Sequence, residues 1–131
     1  MDMHAFRHYK TNIPEIDEDH QALLEILNEI KSNPRDSSAI NLLKKYLALF
    51  IRHTQDEEEL MLQCSYPFLE PHRQEHSWMR SSVEAYLKSM SGATHNFVSA
   101  IQFESQLLEH LDRQDIEFSE FFHSIHKPKS E

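Results

Sequence analysis

A single glycine, Gly92, stands in the whole chain of 131 residues, where an average composition would supply roughly nine. Tight hairpins, phosphate-cradling loops and dinucleotide fingerprints all depend on glycine. The shortage therefore argues against a β-rich fold and against the common nucleotide-binding classes. Cysteine is just as scarce: Cys64 has no second thiol to join, which excludes an internal disulfide and suits a reducing compartment. No apolar run approaches the roughly 20 residues that cross a bilayer. The opening MDMHAFRHYK also lacks the apolar stretch of a signal peptide, so the expectation is a cytoplasmic protein without a membrane partner. Basic residues are outnumbered, 13 Lys and Arg against 22 Asp and Glu for a formal charge of −9. That balance disfavours a phosphate footprint, so no nucleic-acid partner is expected.

What remains is a soluble globular composition, 39% hydrophobic and 27% charged, of a length that suits one domain. Punctuation is confined to SNP (32–34), CSYP (64–67) and MSGAT (90–94). Between these breaks apolar residues recur at helical spacing. The first segment, IDEDHQALLEILNEIK, sets Ile16, Leu23, Leu24, Leu27 and Ile30 on one stripe, with Asp17 as its N-cap. The second starts at a Ser37/Ser38 cap and carries Leu42, Leu43, Tyr46, Leu49, Phe50, Leu60 and Met61. The third begins near Glu70 with Pro71 in its first turn, carries Met79, Val83, Tyr86 and Leu87, and is capped at Gly92. The fourth opens at Thr94 and runs through Phe97, Ile101, Leu107, Leu108 and Leu111 toward FSEFFHSIH. Four long amphipathic helices with short connections predict an all-α, antiparallel up-down-up-down four-helix bundle. Residues 1–126 form the domain on this reading, and 127–131 a tail or the start of a linker.

Ten histidines are more than such a bundle needs, and they invite a search for metal ligands. His72 and His76 are four apart in PHRQEH, on one helical face. The string H-x-x-E-H that they form with Glu75 is also that of an inverted zinc-peptidase helix. His53 and Glu57 make a second pair of the same spacing, His20 lies early in the first helix, and His110 precedes Asp115 by five. Five residues at about 100° each leave two side chains about 140° apart on a regular helix. A shared site therefore requires the fourth helix to bulge at LDRQ, 111–114. In an up-down bundle, early first-helix, late second-helix, early third-helix and late fourth-helix residues lie at one level. His20, His53/Glu57, His72/His76 and His110/Asp115 obey that alternation, which scattered surface histidines have no reason to do. A peptidase needs three zinc ligands and an open position; five more well-placed donors and the lack of a cleft in so compact a bundle count against it.

The motifs IPEIDEDHQALL, HTQDEEELM, YPFLEPHRQEH and LLEHLDRQD together resemble the hemerythrin family in its bacterial form, over nearly the whole chain. The resemblance implies two irons inside the bundle, one bound by His72, His76 and His110, the other by His20 and His53. Glu57 and Asp115 would bridge them, with a solvent-derived oxo or hydroxo group as third bridge. This set fills all but one position of two octahedral ions, and the open one, on the iron with two histidines, is where dioxygen would bind. Two carboxylates, against the four of oxygen-activating di-iron bundles, favour reversible binding over oxidation. The only Glu-x-x-His, Glu120–His123, has no counterpart.

The expected role is thus an oxygen carrier or store rather than an enzyme. An oxygen or redox sensor, coupled to an attached C-terminal domain or to a partner protein such as a cyclic-dinucleotide enzyme or chemotaxis receptor, is the alternative. Glu58, Glu59 and Glu75 are read as solvated. Cys64 is read as inert, and His4, His8, His95, His123 and His126 as solvated or structural. Leu24, Phe50, Leu60, Met61, Met79 and Leu111 would keep water from the site. The chain departs from the family at Thr54, Gln106 and Phe6, where aromatic residues, tryptophan at the last two, are often found.

Overall fold

Proline at the first helical position and an apolar stripe behind it begin the first helix. It is α1, Pro14–Ser32, burying Ile16, His20, Leu23, Leu24, Ile26, Leu27 and Ile30. The computed structural model describes residues 10–32, 38–89 and 96–126. Along these run α2 (Ser38–Gln63), α3 (Leu69–Ser89), α4 (Asn96–His110), a π-helical turn (Leu111–Asp115) and α5 (Ile116–Ile125). The last three follow one another without a break and together make the fourth rod. α1 packs on α2 and α4, and α3 on the same two neighbours, closing the four-helix bundle that the periodicity predicts. The expected caps at Ser37, Gly92 and Thr94 and the tail 127–131 lie outside the described residues. No helix among the described residues is long and apolar enough to cross a membrane.

Asp17 corrects one expectation. The helix starts three residues before it, because Pro14 needs no N–H partner at that position. Asp17 therefore sits inside the first turn and reaches backward. Its Oδ1 accepts from the Thr11 N–H at 2.8 Å and the Thr11 hydroxyl at 2.7 Å, and its Oδ2 from the Asn12 N–H at 3.0 Å. Thr11 is then tied to the far end of the chain, its carbonyl accepting from Ser119 Oγ at 2.7 Å and His123 Nε2 at 2.8 Å. His123 is structural, as expected.

α2 ends without glycine. Ser65 adopts φ 54°, Tyr66 N–H donates to Met61 O at 2.9 Å and Ser65 N–H to Leu62 O at 3.1 Å. This is the paired bonding of a Schellman ending. Met61 and Tyr66, the two residues such an ending brings together, share one apolar cluster.

The core has two apolar parts. The larger holds Leu24, Leu27, Phe50, Met79, Val83, Leu107 and Leu111 among others; the smaller holds Ile13, Ile16, Met61, Tyr66 and Phe118. On three of the rods, buried polar side chains interrupt the stripe between the two. His20 follows Ile16 and precedes Leu24. His53 and Glu57 lie between Phe50 and Met61, and His110 and Asp115 between Leu107 and Phe118. On α3, His72 and His76 precede Met79, with Leu69, partly buried against the smaller cluster, before them. The packing thus leaves one polar layer, sealed above and below by hydrocarbon.

Candidate metal centre

All seven expected site residues fall in that layer, none more than 4% exposed. Their donor atoms form two groups that share both carboxylates: His72, His76, His110, Glu57 and Asp115, and His20, His53, Glu57 and Asp115. The π turn makes this convergence possible. Ile116 N–H bonds to Leu111 O, a five-residue step. With one extra residue in the turn, His110 and Asp115 come to the same side, their Nε2 and Oδ1 3.0 Å apart. The bulge expected at 111–114 is this turn.

Each carboxylate divides its oxygens between the groups. Glu57 Oε1 lies 3.1 Å from both His72 Nε2 and His76 Nε2, while Oε2 faces His53 Nε2 at 3.8 Å. Asp115 Oδ1 lies 2.8 Å from His72 Nε2, and its Oδ2 lies 3.1 Å from His20 Nε2.

Whether these residues fit a metal can be judged from their own contacts. His20 and His53 bring their Nε2 atoms to 3.1 Å, and His76 and His110 theirs to 3.0 Å. On His53, His76 and His110 the other ring nitrogen, Nδ1, already donates to a carboxylate. In the neutral ring the proton is then on Nδ1, so Nε2 turns a lone pair inward. Between His76 and His110, both anchored through Nδ1, lone pairs facing each other repel unless a proton or a metal ion lies between them. Two donors about 2.1 Å from one ion are about 3.0 Å apart at right angles and about 3.4 Å apart at the tetrahedral angle. The observed spacings match the former. Among the described residues, Glu57 Oε2 is buried without a hydrogen-bond partner, a costly state unless something else satisfies it, and both Asp115 oxygens face only imidazole Nε2 atoms. The residues of each group fit a metal ion.

Three carboxylates outside the expected set complete the layer. Asp19 Oδ2 accepts from His53 Nδ1 at 3.1 Å, Glu58 Oε2 from His76 Nδ1 at 2.7 Å, and Glu75 Oε1 from His110 Nδ1 at 2.6 Å. Glu58 and Glu75 were expected to face solvent. Instead each leans across the groove to the next helix, where desolvated imidazole N–H groups require acceptors. The three bonds share one pattern. Asp19, Glu58 and Glu75 are chain neighbours of His20, Glu57 and His76, and each orients a histidine on the following helix. The series stops at His20, whose buried Nδ1 has no partner. Arg73 Nε holds Glu58 at 3.3 Å and Gln114 Nε2 holds Glu75 at 3.1 Å. The signal that could have revealed them is the acid adjacent to each ligand in sequence.

Without a metal, the acids draw protons into the layer. Burial disfavours charge on His72 and His110. The adjacent Asp115, helped by Glu57 at His72 and by Glu75 at His110, outweighs it and pushes the rings up to about 9 and about 10. Burial opposes ionisation of Glu57 and Asp115, and the Asp115 charge adds to this at Glu57, but the surrounding histidines hold both carboxyls below the usual range. The layer is organised for positive charge, and a cation would displace those protons.

A cavity of about 270 Å³ lies between α1 and α2, with His53 and Glu57 in its wall; a smaller one, about 90 Å³, touches His72. The family model described as the Hemerythrin HHE cation binding domain matches residues 11–121. No curated protein and no solved structure matches the chain.

Proposed function

The chain belongs to the hemerythrin HHE cation-binding domain family, and from that premise we propose that it holds two iron ions in the polar layer and binds dioxygen there reversibly, as a carrier or store. His72, His76 and His110 would hold one ion, His20 and His53 the other, and Glu57 and Asp115 would join them. Iron bound there would supply the redox-active centre to which dioxygen attaches and from which it leaves.

The observation that carries this reading is the inequality of the two donor groups. Both share the same carboxylates, but one has three imidazoles and the other two. The larger cavity opens on the poorer group, at His53. An exogenous ligand finds both a missing donor and free space on that side. Leu24, Phe50, Met61 and Leu111, all buried, surround the layer with hydrocarbon and limit water. Asp19, Glu58 and Glu75 fix three imidazoles, so the donors need not rearrange when a small ligand enters. With five imidazoles against two shared carboxylates, the layer suits holding dioxygen reversibly rather than activating it to oxidise a substrate.

Anaerobic loading with ferrous ion, followed by metal counting and admission of oxygen, tests this. Two irons per chain and a visible band that appears with oxygen and fades on purging are expected. One iron per chain, or a band that oxygen removal does not reverse, would overturn it.

A further inference from the structure

The larger cavity has a mouth of one sign. Glu15 and Asp19 from α1 and Asp56 and Glu59 from α2 line it, and Glu57 and His53 lie at its inner wall. Glu15, Asp56 and Glu59 are exposed, whereas Glu57 is 1% exposed and its Oε2 is buried without a hydrogen-bond partner. No Lys or Arg lines the cavity among the described residues, and Arg52, whose guanidinium is 4.0 Å from Asp19, is 67% exposed. Acidic residues thus lead from solvent to an unsatisfied carboxylate oxygen shared by both donor groups.

We propose that this mouth is the loading port through which a divalent cation reaches the polar layer. The inference rests on reading that layer as the metal centre, and adds the route and its selectivity. Carboxylates around a cleft with low-dielectric walls focus the field and raise the local concentration of cations. Such steering speeds association by factors of ten or more and fades as salt is added. Exposed Glu15, Asp56 and Glu59 form the outer ring. Asp19, bonded to His53 Nδ1, links that ring to the first imidazole the ion meets. Glu57 Oε2 then receives the ion from the cavity side, and its other oxygen faces the three-histidine group. The 90 Å³ cavity beside His72 has Glu117 as its one acidic lining residue and aromatic Tyr66 and Phe68 across from it, so it offers no comparable field.

The test follows ferrous-ion uptake by the metal-free, full chain under anaerobic conditions, with a chelator trapping unbound iron at successive times. The triple variant Glu15→Gln/Asp56→Asn/Glu59→Gln spares Asp19 and every residue of the polar layer. At low ionic strength it should load roughly ten-fold more slowly than the unmodified chain, with a flatter salt dependence and the same final iron count. A control, Glu25→Gln/Glu29→Gln/Glu120→Gln, removes as much charge from exposed positions that do not line the cavity and should load at the original rate. Equal rates for the mouth variant and the unmodified chain would overturn the port. Equal slowing by mouth and control variants would overturn it in favour of net charge. If the unmodified chain takes up no iron, the metal-centre reading itself fails; if it loads normally and only the rate prediction fails, that reading stands and the port alone is lost.

Discussion

Glu75 Oε1 accepts the Nδ1 proton of His110 at 2.6 Å, although 35 positions of chain separate them. The bond fixes the ring plane and leaves Nε2 pointing into the layer. Partners of this kind on a ligating histidine are worth about 10–100-fold in metal affinity. Glu75→Ala should therefore weaken metal retention by about that factor in chelator competition, and Glu75→Gln, which keeps an acceptor oxygen, by less. The metal-free thermal midpoint should change little by comparison, which separates orientation of a ligand from simple support of the fold.

Removal of a shared carboxylate should be harsher than removal of an orienting one. Asp115 contributes one oxygen to each donor group, so Asp115→Ala takes a donor from both. Loss of both ions is expected, measured as iron per chain after gel filtration. Retention of two tightly held irons would contradict the shared role. Because the donors come from all four rods, metal removal should also lower the thermal midpoint of the unmodified chain, since metal-binding energy is also folding energy.

The metal-free protein should lose stability in alkali. Burial opposes charge on His72 and His110, but neighbouring carboxylates raise their folded values to about 9 and about 10, above an unfolded value of about 6.5. The stabilisation from this is fully present below about pH 6.5 and disappears as pH rises through 9 to 10. Urea midpoints of the metal-free chain should fall across that interval. Metal uptake, which expels the same protons, should release acid and tighten as pH rises. A urea midpoint unchanged from pH 6 to pH 10.5 would count against protons holding the empty layer together.

Ser65 occupies a left-handed backbone position, φ 54°, that costs an ordinary residue about 1–2 kcal/mol. Ser65→Gly should raise stability by about 0.5–1 kcal/mol, the relief being partly offset by the greater freedom of glycine in the unfolded chain. Iron content should be unaffected, because the turn touches the smaller apolar cluster and not the donors.

Much of this molecule is legible in sequence because two periodicities agree. The apolar stripes define the helices, and His20, His53, His72, His76 and His110 interrupt those stripes where an up-down bundle aligns them. The five-residue gap from His110 to Asp115 even announces the π turn, since no regular helix could bring both inward. Asp19, Glu58 and Glu75 escaped because angular position on their own helix places them at its flank. Their bonds are made across the groove, to the neighbouring helix, and depend on how closely two rods approach. Asp17 misled for a related reason: a short acid near a helix start can cap the turn ahead or reach behind it. Pro14 decides between these only once the start of the helix is known.

The π turn has a final consequence, for how this chain can tolerate changes in length. Elsewhere in a helix a lost residue rotates everything beyond it, and selection can repair the face by later substitutions. Between His110 and Asp115 the helix carries one residue more than an α turn requires. Deleting one residue there, Arg113 for example, would restore regular winding, the conformation the backbone itself prefers. The deletion would leave a well-formed helix and could even make it more stable. It would also leave His110 and Asp115 four apart, the spacing of His53 and Glu57, and so still on one face. Regular winding with every residue retained would instead part them by about 140°, so the donor layer depends on how this turn is wound and not on its residue count.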